Sequence, residues 1–220
     1  MVDKVKSFVK SNYYLRNFII RIRSIKYKLG GGVKIENYGG GKIVRDVLGA
    51  NNLIIIGTNS YLENTRIKIR GNNNKIIFGD NVYVGKRCSF WMEGDNITIR
   101  IGKNSTFTQI VHFCAQENGQ SIDVGEDCMF SNTIIVRTSD SHAIYDDNGI
   151  RINQPKSVRI GNHVWIAPNS KIMKGATIGD GCVIGSNSFV TKDIPSNSLA
   201  VGSPAKVVRE NIKWTREKLF

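Results

Sequence analysis

From Ile160 the chain divides into sixes, IGNHVW, IAPNSK, IMKGAT, IGDGCV, IGSNSF and VTKDIP, each opened by Ile or Val and most with a small or branched residue in the fifth place. That period matches neither the 3.6-residue turn of an amphipathic helix nor the alternation of one long strand. It suits short strands joined by tight turns, because Gly in the second place and Asn, Asp or Gly in the third and fourth tolerate turn and left-handed conformations. The opening aliphatic residue then points inward. Stacked coils pair their backbones about 4.8 Å apart, and their inward residues align in ladders, so each coil is stabilised by its neighbours. Looser copies stand upstream: IGTNSY from Ile56, FGDNVY from Phe78, VGKRCS from Val84, IGKNST from Ile101 and VGEDCM from Val124. The pattern predicts an all-β chain, a parallel β-helix prism spanning most of the sequence and broken by insertions.

The chain has 220 residues, enough to bury a sizeable core. Lysine and arginine outnumber aspartate and glutamate by 31 to 18, a formal net charge of +13, which favours anionic partners without choosing among them. No apolar run reaches bilayer-spanning length, and arginines interrupt the first residues where a signal peptide needs an apolar segment, so a cytoplasmic location is expected. Cys88, Cys128 and Cys182 share the fifth place of the hexad, where Ser, Ala and Val stand in other copies. They are expected to be small core thiols rather than disulfide partners. Histidines and cysteines show no ligand-like grouping, so no metal is expected.

Residues 158–209, VRIGNHVWIAPNSKIMKGATIGDGCVIGSNSFVTKDIPSNSLAVGSPAKVVR, resemble the C-terminal half of the hexapeptide-repeat acyltransferases. That group includes galactoside and maltose O-acetyltransferases and bacterial capsule or lipopolysaccharide O-acetyltransferases. The resemblance implies a left-handed parallel β-helix, an exception to the usual right-handed crossover. It also implies a homotrimer with acetyl-CoA, the cosubstrate, lying between neighbouring prisms.

Residues 137–156 do not follow the hexad and are expected to leave the prism as a loop bearing SDSH. In the resembling enzymes a histidine at this place is the catalytic base, and His142 matches it. Imidazole titrates near neutral pH, so it can take a proton from an acceptor hydroxyl and return it to the departing thiolate, with direct attack on the thioester and no acyl-enzyme. The other ring nitrogen needs a partner, for which Asp140, Asp146 and Asp147 are at hand; Asp140 is taken as the catalytic carboxylate. Trp165 ends IGNHVW where other copies carry a small or turn residue, and in the family it lies by the active site, a wall for acceptor and thioester. Packing at a subunit interface is the competing role for it. His112 is a weaker candidate, in a stretch that corresponds only loosely to a site-lining segment. His163 matches no family role and reads as a turn or surface residue.

For acetyl-CoA the resemblance carries over Trp165, Ala167 and Pro168 at the turn after the tryptophan, Ser186 in the usual IGAGS unit, and Thr191 with Lys192 in VTKDIP. Lys206 and Arg209 match the basic positions of the closing segment, where cations would attract CoA phosphates. Ala167 replaces the usual Gly and Ser186 the usual Ala, small changes that leave room for the pantetheine arm.

Three segments are expected. Residues 1–32 space apolar residues as a basic amphipathic helix would, either packed on the trimer or lying on an anionic membrane surface. Residues 33–205 form the β-helix domain with its loop, and residues 206–220 form a C-terminal helix. The expected function is O-acetylation of a bacterial surface-polysaccharide sugar. Alternatives are N-acetylation of an amino-sugar nucleotide or another small acceptor and, in a different class, a non-catalytic β-helix scaffold. A nucleic-acid binder would explain the charge, but the chain has no helix-turn-helix, zinc-ligand spacing or RNA-binding motif.

Overall fold

The computed structural model describes residues 32–219, in which strands are the only regular long elements. The segment expected over 1–32 therefore lies, but for residue 32, outside the described residues. One face of the prism is a seven-stranded parallel sheet running from Val33–Asn37 through Asn52–Ile56, Lys75–Phe78, Thr98–Ile101, Ser121–Val124 and Val158–Ile160 to Thr177–Ile178. A second sheet folds over a crease to make the other two faces. Its long strands Tyr61–Arg70, Thr106–Gln116 and Met129–Arg137 cross that crease at Asn64, Ile110 and Thr133, each with a positive φ. In later coils the crossing at Asn169 separates Trp165–Ile166 on the second face from Lys171–Ile172 on the third.

The register explains why the later repeats read cleanly and the earlier ones do not. Trp165 pairs with Val183 and Lys171 with Phe189, 18 residues on, three hexads per coil. Ile54 pairs with Ile76 and Ile76 with Ile99, 22 and 23 residues on. The longer coils enclose a wider section, which aromatic side chains fill: Phe78, Phe90, Phe107, Phe113 and Phe130 are fully buried, and Phe107 stacks on Phe130 with centroids 4.5 Å apart. Along the second face the ladder narrows from Phe107 and Phe130 to Ile166, Ile184 and Ala200.

The turn chemistry differs from the expectation in one respect. Left-handed backbone falls on the fourth place of the hexad, as at Asn59, Asn81, Asn104, Asp127, His163 and Asn187, the non-glycine residue types that adopt it most readily. The second-place glycine is required by close approach instead. A Cβ on Gly125 would stand 2.6 Å from the Gly161 carbonyl carbon and oxygen of the next coil.

Within the segment expected as a helix over 206–220, the described residues 206–219 form none. Lys206–Arg209 is a strand, antiparallel to Leu199–Val201, which closes the exposed edge of the last coil with β-branched Val207 and Val208. The residues beyond it run without regular structure to 219.

Candidate active site

The inserted loop leaves the third face after Arg137 and rejoins the first at Val158. Polar side chains brace it. Thr138 Oγ1 accepts from the Gln116 amide at 2.8 Å, and Ser139 Oγ donates to Glu117 at 2.6 Å. Arg151 grips the same Glu117 carboxylate with two guanidinium nitrogens at 2.6 and 2.7 Å. The Arg151 bonds, with that of Ser139, hold the Glu117 carboxyl below the usual range against the opposing effect of burial.

His142 stands in this loop with its ring exposed, and among the described residues the ring makes no hydrogen bond. Its backbone is held by buried Asn153, whose Nδ2 donates to the His142 carbonyl at 2.8 Å while its Oδ1 accepts from the Ile144 amide at 2.8 Å. Asn153 Nδ2 also donates to Asp140 at 2.9 Å, and Lys174 from the next coil donates to the same carboxylate. The Lys174 bond, with that of Asn153, keeps the Asp140 carboxyl low despite burial. In this chain, then, Asp140 does not touch the imidazole as expected. It braces the loop backbone through Asn153, because Lys174 captures its charge. Asp146 is a turn former, accepting from the amides of Asn148 and Ile150 at 3.0 and 2.8 Å. Ser141, just before the histidine, has φ +68 and bonds Gln116 and Arg137 through its hydroxyl.

Trp165 lies elsewhere, outward on the second face, its Nε1 3.4 Å from Ser131 Oγ. Its register column continues through Val183 and Leu199 to Arg209. Three strand steps, about 14 Å, separate Trp165 from Arg209 on one face. Ala167, Pro168 and Ser186 occupy the adjoining crease on successive coils, where the Asn187 amide bonds the Pro168 carbonyl at 2.9 Å. Lys206 opens the closing strand, beside Val201. Thr191 and Lys192 are exposed after Phe189–Val190, at the end of the third face rather than with Trp165. One chain thus gathers Trp165, Ala167, Pro168, Ser186, Lys206 and Arg209 on one side and leaves His142 on its loop at another corner.

His112 belongs to the third face. Ser89 Oγ lies 2.8 Å from its Nδ1 and the Trp91 ring meets it edge-on at 4.9 Å, while burial, then Arg137, lowers its pKa. Beside this cluster a cleft of about 620 Å³ is lined by Arg66, Lys86, Arg87, Glu63 and Trp91. Among the described residues no cluster of three metal-ligating side chains occurs. His163, read as a turn residue, has the expected left-handed turn backbone. Its ring, however, is clasped by Asp127 and Trp214, a contact for which the only sequence sign was a tryptophan in the closing NIKWTREKLF.

A β-helix of hexads with a histidine loop before its most regular coils defines a class, the hexapeptide-repeat transferases. Residues 157–192 match the family described as bacterial transferase hexapeptide (six repeats). The chain is 37% identical over 174 residues to a polysialic acid O-acetyltransferase of Neisseria meningitidis, covering 78% of this chain and 79% of that protein. Its fold superposes on the crystal structure of the polysialic acid O-acetyltransferase OatWY with a TM-score of 0.77 and 31% identity, over 86% of this chain and 90% of that one. For the polysialic acid specific acetyltransferase NeuO the values are 0.65 and 30%, over 84% and 83%. The chain belongs to the hexapeptide-repeat acyltransferases, and it is an acetyltransferase.

Proposed function

We propose that this chain moves an acetyl group from acetyl-CoA to a hydroxyl of an acidic capsule-type polysaccharide, with His142 as general base. The observation that carries the reading is the braced loop that offers an unpartnered imidazole to solvent, in a chain whose relatives over most of its length are named for O-acetylation of polysialic acid. The acceptor oxygen attacks the thioester carbonyl as its proton passes to the ring. The tetrahedral oxyanion collapses, the C–S bond breaks, and the imidazolium returns the proton to the thiolate. No enzyme nucleophile is needed.

The charge of +13 and the cleft bordered by Arg66, Lys86 and Arg87 suit a polyanionic acceptor. The column from Trp165 to Arg209 suits a donor with an acyl end and a phosphate end. A homotrimer is part of this reading, because it would set the loop of one prism against the second face of its neighbour. Ile144, Tyr145, Ile150 and Ile152 on the loop, each more than half exposed, supply apolar surface for that contact. The test is the product. Incubation with acetyl-CoA and polysialic acid or a similar acidic polysaccharide should give an acetylated chain whose label is lost in mild alkali, as an ester is. A label that survives alkali is an amide and contradicts transfer to oxygen.

A further inference from the structure

After the closing strand the chain turns back and climbs the corner between the first and second faces. The Ile212 amide donates to the Asn197 carbonyl at 2.9 Å. Trp214 then lies flat on the His163 ring, centroids 4.0 Å apart and planes 11° from parallel. Two bonds of 3.0 Å lock the pair: Trp214 Nε1 donates to the His163 carbonyl, and His163 Nε2 donates to the Trp214 carbonyl. Beyond it Arg216 donates from Nε to Asp127 at 2.6 Å and from Nη2 to the carbonyls of Cys128 and Asn104 at 2.9 and 3.2 Å. Asp127 also accepts from His163 Nδ1 at 2.6 Å. Burial raises the Asp127 pKa, but the bonds from His163 and Arg216 outweigh it and hold the carboxyl low.

This strap reaches the candidate site. The Trp214 ring is 6.0 Å from that of Trp165 and tilted 46° to it. We infer that residues 210–216 are a positioning element of the acetyl-transfer site, in which Trp214, held on His163, props Trp165 and extends its wall for acetyl-CoA. The inference rests on the reading of Trp165 as part of the donor site. It gives a role to His163 and to the closing tryptophan, which that reading leaves idle. The His163 ring faces two acceptors, the Asp127 carboxylate and the Trp214 carbonyl, and Arg216 holds the same carboxylate from the far side.

The experiment compares the full chain with Trp214→Ala, Trp214→Phe, Arg216→Ala and His163→Asn. Coenzyme A binding is measured by calorimetry without acceptor, and steady-state kinetics are measured in acetyl-CoA. Trp214→Ala should weaken binding and raise KM for acetyl-CoA about 3- to 10-fold, the worth of one aromatic contact, with kcat nearly unchanged. Phenylalanine should restore most of the loss. His163→Asn removes the ring on which Trp214 stacks and should raise KM for acetyl-CoA in the same way. If Trp214→Ala does not fold, Arg216→Ala unties the far end of the strap and should show the same KM effect. Coenzyme A binding and KM unchanged in Trp214→Ala, or in Arg216→Ala where the first cannot be used, overturn the inference while leaving the acetyl-transfer reading intact. Strap-dependent binding without transfer to any acceptor keeps the strap and refutes the transfer reading. A wild-type chain that does not bind coenzyme A refutes both.

Discussion

At the scale of single residues, position in the hexad decides chemistry more than residue type does. Burial pushes the thiols of Cys88, Cys114 and Cys128 up to about 11 and raises that of Cys182. All four should therefore resist Ellman's reagent at pH 8 in the native protein and react together once guanidinium unfolds it. Rapid native labelling of any one would contradict the packing. Second-place and open glycines should separate in the same way. Gly125→Ala forces a methyl against the next coil and should cost roughly 1–3 kcal/mol. Gly119, with φ +73 and nothing within 4 Å, should lose only the conformational term of about 1 kcal/mol. Thermal melts of the two variants check the order. The inward aliphatic residues and the fifth-place thiols were legible because a period fixes what each place faces. The reason for the glycine was not, since a close approach between coils leaves no mark distinct from a turn signal.

At the scale of elements, the loop and the closing segment show what pattern reading can and cannot reach. A break in the hexad marked the loop to within a residue, and His142 stands in it as expected. The partner of Asp140 was hidden, because Lys174 is distant in sequence and meets the carboxylate only once the loop folds over the next coil. The closing segment was misread as a helix because KVVR and the charges after it lack any period, whereas an open sheet edge recruits a strand. The bracing predicts a pH dependence. Glu117 and Asp140 have carboxyls held low in the fold, so the bonds of Arg151 and Lys174 are present above the ordinary carboxylate range near pH 4 and are lost as pH falls through and below it. Glu117→Gln at neutral pH should mimic the acid state, speeding amide exchange in the loop on the order of 2- to 5-fold, as befits a partly exposed pair. Exchange unchanged in that variant would mean that the loop is held by other contacts.

At the scale of the whole molecule, His142 and Trp165 belong to different corners of one prism, and the proposed trimer resolves that separation by sharing sites between copies. Co-expressing His142→Ala with Trp165→Ala should then recover transfer that neither gives alone, with about a quarter of the sites intact under random mixing. No recovery from verified mixed trimers would place both residues of a site in one chain. The central claim is tested most directly by release of free CoA thiol from acetyl-CoA in the presence of an acidic polysaccharide such as polysialic acid, wild type beside His142→Ala. The account predicts acceptor-dependent release that falls about 10²- to 10⁴-fold in the variant while coenzyme A binding persists. Undiminished release by His142→Ala would contradict it.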